Sequence, residues 1–382
     1  MSPFRLDRLT RHPDIDTPDL VAVDAADRLL LDTAADALRR DTVAVIGDSY
    51  GALTLTAAEV NPHLPVRVFQ DGIVHQRALG RNAREAGMED RYRTLPLGAE
   101  LLAGVSTVLL RLPRSLDELD EIAALVADHA APDVRVLAGG RTKHMTPTMN
   151  DVLGRHFGTV TAGLGRQKAR ILTASDPRPG TSAGFPRSAR HDVGLARPLE
   201  LRAYGATFGG AALDPGTRLL LPHLLPPVLP TGRTERDPRG EVIDLGCGNG
   251  ALSAYLALTH PDLVVHATDQ SASAVASTRA TAAANGVSDR VRVSRDDALS
   301  EVPDASARLI VLNPPFHVGS TVHTGIALKL FRACARVLAP GGELYTVWNG
   351  HLRYRSALES IIGPTRQLDR SPRFTVTSSR RG

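Results

Sequence analysis

The strongest constraint on the fold is an internal repeat. Residues 46–53 (IGDSYGAL) align with residues 245–252 (LGCGNGAL), an offset of 199 residues that also separates Gly87 from Gly286. Each aligned segment follows an apolar run, and each of these later glycines ends a predicted helix. A constant register over a glycine turn and the next helix indicates that one supersecondary plan is present twice. The 382 residues are enough for two domains with separate cores.

In the second copy, apolar runs alternate with helical patterns. Predicted strands lie near residues 241–245, 263–268, 290–294, 309–312, 343–348 and 374–377, and predicted helices near 251–258, 271–284, 325–338 and 354–362. This alternation predicts an α/β fold with a mostly parallel, Rossmann-like sheet that is covered on both faces. Ligands of such sheets bind at the carboxyl ends of the strands.

The repeat suggests a division into two domains and a connector. Residues 1–175 form the first copy and residues 201–382 the second. Residues 176–200 are rich in Pro, Gly, Ser and Arg and show no apolar period, so they are predicted to be a linker.

The glycine turn of the second copy predicts a nucleoside-cofactor site. Gly246, Gly248 and Gly250 permit a sharp turn and close approach of a ligand, but their spacing differs from the G-x-G-x-x-G dinucleotide fingerprint. Asp269, about 20 residues further on, is placed to bind ribose hydroxyls. Asp297, with Ala298, follows the third predicted strand, and its carboxylate is placed to accept from an adenine amine. The remaining expected cofactor contacts in this region are Asp244, Cys247 and Gln270.

A second motif predicts the chemistry. Asn313-Pro314-Pro315-Phe316 follows the apolar run 309–312. The side-chain oxygen of Asn313 and the carbonyl of Pro314 can accept both hydrogens of a planar amine, and the prolines stiffen the loop. Phe316 offers a face for base stacking, worth about 1–3 kcal/mol. Asn313, Pro314 and Phe316 are therefore predicted to be catalytic, with S-adenosylmethionine as methyl donor.

With these motifs, the chain resembles the class I methyltransferases that modify guanine N2 in bacterial ribosomal RNA and carry tandem methyltransferase domains, the N-terminal one degenerate. The tetrapeptide followed by His317 is the most specific match. The resemblance implies that Phe208 and Asp214 border the cofactor, and that Asn313 does so as well. It also implies that the substrate contacts include Pro315, Phe316, His317, Asn349 and His351. Lys143-His144-Met145 favours the large-subunit enzyme over the small-subunit one.

The first copy lacks the ligand residues of the second. Val45, Gln70, Gly98 and Arg111 stand where the second copy has Asp244, Asp269, Asp297 and Asn313. We therefore expect the first copy to fold without binding S-adenosylmethionine and either to recognise RNA or to support the second copy. Its candidate phosphate contacts are Arg141, Lys143, His144, Arg166, Lys168 and Arg170.

Bulk properties exclude other classes. Cys247 and Cys334 are the only cysteines, and their separation predicts neither a disulfide framework nor a metal site. No apolar stretch is long enough to span a membrane, and the N-terminus has no signal core, so a cytoplasmic protein is expected. A monomer is the default expectation, since the sequence does not determine the oligomeric state. The net charge of +4 suits a nucleic-acid partner, here ribosomal RNA or a ribosomal subunit, without requiring one.

Two alternatives remain open from the residues alone. One is another amine methyltransferase, acting on adenine N6 or on a protein glutamine amide. The other is a non-catalytic RNA-binding or ribosome-assembly factor, which the presence of Asp244, Asp269 and Asn313 in the second copy disfavours. The sequence does not identify the nucleotide that is modified.

Overall fold

A computed structural model describes residues 4–14, 20–225, 241–315 and 324–382 of the chain. The chain divides into two compact units, Met1–Phe185 (the first unit) and Pro186–Gly382 (the second unit). Within these described ranges, no helix is long and apolar enough to cross a membrane.

The first unit contains a seven-stranded sheet in the order β3-β2-β1-β4-β5-β7-β6. Its strands are β1 (Val43–Ile46), β2 (Val66–Phe69), β3 (Tyr92–Thr94), β4 (Thr107–Arg111), β5 (Arg135–Arg141), β6 (Phe157–Ala162) and β7 (Ala169–Pro177). Its helices are α1 (Ala25–Ala34), α2 (Ala52–Val60), α3 (Ile73–Ala86), α4 (Ala99–Leu102), α5 (Leu116–His129) and α6 (Thr148–His156). The first five strands in this order pair in parallel, and β7 pairs antiparallel with both β5 and β6.

The second unit repeats this topology in the order β12-β11-β10-β13-β14-β16-β15 and adds a hairpin, β8-β9. Its strands are β8 (Arg187–His191), β9 (Leu199–Ala203), β10 (Glu241–Leu245), β11 (Val265–Asp269), β12 (Val291–Arg295), β13 (Ala307–Leu312), β14 (Leu338–Asn349), β15 (Thr365–Arg370) and β16 (Phe374–Arg380). Its helices are α7 (Pro215–Leu220), α8 (Ala251–Thr259), α9 (Ala272–Ala284), α10 (Thr324–Val337) and α11 (Arg355–Ile361). The identical strand order confirms the prediction of two Rossmann-like α/β units from one duplicated plan.

Alternation along the central strands explains why the second sheet is covered on both faces. On β10, Val242 belongs to one buried apolar cluster and Ile243 to the other. On β13, Val311 and Leu312 divide between the same two clusters. Because successive side chains of a strand point to opposite faces, each central strand contributes to two layers of core. This arrangement fixes the strand ends where the predicted motifs lie.

The hairpin β8-β9 lies partly within residues 176–200, which the sequence predicted to be a linker. Leu199 and Leu201 are fully buried in the core of the second unit. Thr281 of α9 and Asn285, the C-cap of that helix, accept hydrogen bonds from backbone N–H groups on the free side of β9. Thr281 Oγ1 accepts from Arg202 at 2.9 Å and Asn285 Oδ1 from Glu200 at 3.1 Å. Residues four apart share one helix face, so the helix satisfies the strand without a further sheet partner. Long-range bonds of this kind leave no local apolar period for a sequence pattern to detect.

Candidate active site

The glycine turn after β10 adopts a left-handed backbone conformation that residues with side chains rarely adopt. Gly246, Gly248 and Gly250 have φ angles of 75°, 55° and 79°. A Cβ at Gly250 would lie 2.9 Å from the Cα of Thr278, so helix α9 approaches too closely for any side chain there. At Gly246 and Gly248, by contrast, a Cβ would meet no atom within 4 Å among the described residues. The turn is therefore closed on its α9 side and open where a ligand would lie.

Asp269 is tied to this turn by its carboxylate. Its Oδ2 accepts from the backbone N–H of Gly248 at 3.0 Å, and its Oδ1 accepts from that of Ser271 at 3.0 Å. Ser271 is also the N-cap of α9, where the sequence predicted the helix to begin. Both bonds hold the carboxylate in one orientation at the carboxyl end of β11. The neighbouring Gln270 contributes a backbone carbonyl that accepts from Arg295 at 3.2 Å.

Asp244 is fully buried at the end of β10, beside the glycine turn. Its Oδ2 accepts from Ser253 Oγ at 2.6 Å, whereas Oδ1 has no hydrogen-bond partner among the described residues. Burial raises the pKa of Asp244 to about 7. Burial likewise raises the pKa of Cys247, whose sulfur accepts from Thr278 Oγ1 at 3.2 Å. An orphaned carboxylate oxygen beside an open glycine turn suits a ligand that carries donor groups, such as an amino acid ammonium or a hydroxyl.

Asn313, at the end of β13, has an amide whose orientation is fixed. Its Nδ2 donates to Asp214 Oδ2 at 2.9 Å and to Thr217 Oγ1 at 3.0 Å. Asp214 is the N-cap of α7, where the same Oδ2 accepts from the backbone N–H of Thr217 at 2.9 Å. Because a carboxylate only accepts hydrogen bonds, the nitrogen of Asn313 must face it. The Oδ1 of Asn313 is buried and has no partner within the described part of the chain.

The acidic pair that follows β12 divides its roles. Asp296 is buried, and its oxygens accept from Asp297 N at 2.7 Å and Glu301 N at 3.1 Å, so it caps the turn. Asp297 is only partly buried and forms an ion pair with Lys329 at 2.6 Å. Ala298 lies in the same turn with a φ of 53°. The sequence predicted a role for Asp297 and did not predict the contacts of Asp296 and Lys329, because an acidic doublet does not show which carboxylate turns inward.

The remaining predicted residues are placed as follows. Asn349 ends β14, and its Oδ1 lies 2.8 Å from His351 Nδ1 in an exposed turn. Pro314 is buried and Pro315 exposed. Phe208 is 85% exposed, so its ring makes little contact with the second unit. Phe316 and His317 lie outside the described residues.

Two partners of the predicted residues, Thr217 and Ser253, and one contact of the glycine turn, made by Asn249, were missed from the sequence. Thr217 holds the Asn313 amide, and Asn249 donates from its Nδ2 to the carbonyls of Gly210 and Ala212, each at 2.9 Å. Ser253 binds Asp244. The Asp214-x-x-Thr217 spacing of an N-cap gave a usable signal for the first of these. The contacts of Asn249 join residues 39 and 37 positions apart, and the Ser253 contact joins a strand to the following helix, so neither follows a local sequence pattern.

The first unit keeps the shape of the glycine turn but lacks the polar residues that the second unit has there. Ser49, opposite Gly248, has a φ of 60°, and its backbone N–H donates to Gln70 Oε1 at 3.1 Å. Gln70 thus supplies the bond that Asp269 supplies in the second unit. Arg111, at the position of Asn313, binds Asp24 at 2.8 Å and Asp27 at 2.7 Å. Within the described ranges, no group of three or more His, Cys, Asp or Glu side chains could hold a metal ion.

Comparison with known proteins gives a consistent result. The family model "Methyltransferase small domain" matches residues 198–378, and "RLMG N-terminal domain" matches residues 2–178. A protein of Pseudomonas putida named ribosomal RNA large subunit methyltransferase G is 35% identical, over 98% of this chain and 97% of its own. One of the same name from Pseudomonas syringae is 34% identical, over 100% and 99%.

A solved structure shares the whole architecture. It is the 16S rRNA N2 G1207 methyltransferase of T. thermophilus in complex with AdoMet and guanosine. The two chains are 22% identical, with a TM-score of 0.72 over 94% of this chain and 92% of that one. At this identity the likeness concerns the fold, and it covers both units.

Proposed function

Because this chain belongs to the family of ribosomal RNA large subunit methyltransferases G, we propose that its second unit transfers a methyl group from S-adenosylmethionine to the exocyclic N2 of a guanine in ribosomal RNA. The observation that carries the choice of an amine is the buried Oδ1 of Asn313, which has no partner among the described residues. An unsatisfied buried acceptor costs about 1–3 kcal/mol. A substrate N–H group that binds there removes this cost.

The amine is activated by hydrogen bonding. The lone pair of an aromatic amine is delocalised into the ring, which makes the nitrogen a poor nucleophile. Asn313 Oδ1 accepts one amine hydrogen and the Pro314 carbonyl accepts the other, so the lone pair is directed out of the ring plane. Asp214 and Thr217 are positioning residues in this proposal, because they hold the Asn313 amide with its oxygen toward the substrate. The methylated nitrogen is cationic and loses a proton to water, so no strong general base is needed.

The residues around the glycine turn fit the cofactor. S-adenosylmethionine, when bound, supplies a methyl group on a positively charged sulfur. Asp269 is assigned to its ribose hydroxyls and Asp297 to its adenine amine. The open faces of Gly246 and Gly248 provide room for it, since a Cβ there would meet no described atom within 4 Å. The further contacts assigned to the cofactor are Asp244, Cys247, Gly250, Gln270, Ala298, Asn313, Phe208 and Asp214.

The substrate guanine must leave the RNA double helix before it reacts. Its N2 lies on the base-pairing edge, so the base has to be unpaired or extruded before the amine reaches Asn313. Phe316 and Pro315 are assigned to stacking against the base, and His317, Asn349 and His351 to the surrounding RNA. The first unit, which lacks the ligand residues, binds no S-adenosylmethionine and serves RNA recognition in this proposal.

The test is methylation of ribosomal RNA by the purified chain, followed by mass spectrometry of the digested nucleosides. N2-methylguanosine is the expected product. Asn313→Ala is expected to abolish turnover and to retain most of the S-adenosylmethionine affinity, measured by calorimetry, because Asn313 is only one of many assigned cofactor contacts. Asn150→Ala in α6 of the first unit is the matched control and should behave as wild type. Methylation at another atom, or wild-type turnover in Asn313→Ala, would refute the proposal.

A further inference from the structure

The first unit contains a polar cavity at the carboxyl ends of β1, β4 and β5. Its volume is about 450 Å³, and its lining includes Ser49, Arg111, Arg114, Arg141 and Lys143. This is the edge of the sheet at which the second unit carries its candidate active site. The cavity therefore occupies the place of the lost cofactor and substrate positions.

The strand registers show what has replaced the substrate positions. Leu110 pairs with Ala138 in the first sheet, as Leu312 pairs with Thr346 in the second. Three residues after these partners come Arg141 in the first unit and Asn349 in the second, so the two residues occupy equivalent positions of the repeat. A short 3-10 turn follows each strand, Thr142–His144 in the first unit and Gly350–Leu352 in the second. Lys143 in the first turn is therefore equivalent to His351 in the second. In the aligned sequences Arg114 stands where the tetrapeptide has Phe316. Cations thus stand at three positions that correspond to predicted substrate contacts.

Part of the positive charge of the cavity is balanced internally. Arg111 is neutralised by Asp24 and Asp27, at 2.8 and 2.7 Å. Arg11 is paired with Asp14 at 2.9 Å. These two arginines hold the walls of the cavity together and are not free to bind a ligand.

Three further cations have no carboxylate partner among the described residues: Arg114, Arg141 and Lys143. Arg114 contacts only the ring of His144, with Nη2 and Nε2 3.3 Å apart. The Nε of Arg141 is buried and has no hydrogen-bond partner within the described residues. The pKa of His144 is lowered first by burial and then by these three charges. Buried guanidinium N–H groups without an acceptor are costly, and an anion satisfies them.

We propose that this cavity binds a phosphate group through Arg114, Arg141 and Lys143, and that the RNA substrate supplies it. The identity of the source rests on the proposed function, whereas the phosphate chemistry rests on the cavity itself. Arginine binds phosphate with paired N–H groups, and lysine adds a point charge. The volume of about 450 Å³ lies within the ~300–1,000 Å³ of typical ligand pockets, so a whole nucleotide of the chain has room to enter.

The experiment measures the affinity of the full chain for a ribosomal RNA fragment by fluorescence anisotropy at several salt concentrations. The variants are Arg114→Gln, Lys143→Gln and the two combined, since both side chains are exposed and their replacement leaves the core intact. The control is Arg135→Gln, which removes the same charge at the opposite end of β5. Inorganic phosphate is titrated against the same proteins by calorimetry.

The double variant is expected to bind RNA on the order of tenfold more weakly, because two charge-assisted contacts are lost. The slope of log affinity against log salt should fall by about 0.7–0.9, the value expected when the contact to one phosphate is lost. Arg135→Gln should match wild type. Wild type should also bind inorganic phosphate, and the double variant should bind it more weakly.

Several results would overturn the inference. An unchanged RNA affinity and salt slope in the double variant would remove RNA as the source, even if binding of inorganic phosphate is lost. Equal weakening by Arg135→Gln would mean a diffuse positive surface, and equal phosphate binding by wild type and double variant would exclude the site altogether. The two proposals fail separately: methylation by wild type with no effect of the double variant contradicts only this inference. RNA binding through the cavity without methylation contradicts only the proposed reaction.

Discussion

Asp214 should control turnover through the orientation of the Asn313 amide. The Nδ2 of Asn313 donates to Asp214 Oδ2 at 2.9 Å and to Thr217 Oγ1 at 3.0 Å. Rotation of the amide by a half-turn would place its oxygen against the Asp214 carboxylate, which can only accept, and lose that bond, whereas the Thr217 hydroxyl can donate or accept. A hydrogen bond to a carboxylate contributes about 1.5–3 kcal/mol, and this bond favours the orientation that presents the oxygen to the substrate. The bond to the neutral hydroxyl contributes about 0.5–1.5 kcal/mol to holding the amide in place.

Asp214→Ala removes the larger contribution and is expected to lower the rate of methyl transfer by about 10- to 100-fold, since about 1.4 kcal/mol corresponds to tenfold. Thr217→Val keeps the shape of the side chain and removes the smaller contribution, so a loss of about two- to tenfold is expected. Asp214→Asn is the matched control, because its amide oxygen can still accept from Thr217 N and Asn313 Nδ2. Loss of the N-cap in Asp214→Ala also costs about 1 kcal/mol of stability, so the assay temperature must lie well below its melting point.

The assay is single-turnover methyl transfer to ribosomal RNA at saturating S-adenosylmethionine, with cofactor affinity measured in parallel by calorimetry. If Asp214 acts by orienting the Asn313 amide, methyl transfer at saturating S-adenosylmethionine is slower in Asp214→Ala than in wild type. A wild-type rate at saturation together with weaker cofactor binding would show that Asp214 acts on the cofactor alone, and would refute the argument.

Three further outcomes are expected. The pKa of Asp244 is about 7 in the folded chain, against 3.8 as its ordinary value. Below about pH 4 the carboxyl is neutral in both the folded and the unfolded chain, so its ionisation does not affect stability. As the pH rises from there through 7, stability is lost because the unfolded chain ionises more readily. Asp244→Asn should therefore raise the melting temperature at pH 8 but not at pH 4, while it weakens cofactor binding. In urea unfolding, Gly250→Ala should lower the free energy of unfolding by more than about 1–2 kcal/mol, because its Cβ would meet Thr278 in addition to the strain of a positive φ. Gly286→Ala is the control: it also has a positive φ but lies in open space, so only the backbone strain of about 1–2 kcal/mol is expected. Asp297→Asn should weaken S-adenosylmethionine binding about tenfold in calorimetry and change stability by less than about 1 kcal/mol, since its lysine partner is half exposed.

The sequence predicted the features that depend on local pattern. The glycine turns, the helix start at Ser271 and the alternation of strands and helices follow from residue types within short windows, and the repeat carried these predictions from one unit to the other. Asn313 was predicted to be a site residue because it belongs to a contiguous tetrapeptide at the end of an apolar run.

Features that depend on distant partners were not predicted. Strand β15 was missed, because its residues, TRQLDR, are mostly polar and are held by antiparallel pairing with β16. The hairpin in the predicted linker depends on bonds from β9 to Thr281 and Asn285, which lie about 80 residues away. Likewise, the Asn313 amide is oriented by Asp214, 99 residues earlier in the chain. Tertiary contacts of this kind override local preference and leave no periodic signal.

The hydrogen bond between Gln70 and Ser49 bears on how duplicated enzymes diverge. Glutamine delivers an oxygen to the same backbone amide as the aspartate of the sister unit, so the buried N–H stays satisfied while the negative charge disappears. The integrity of the turn is thus separable from the charge of the side chain that closes it. A duplicated copy of such a fold can accordingly lose this carboxylate without leaving the buried backbone amide unsatisfied.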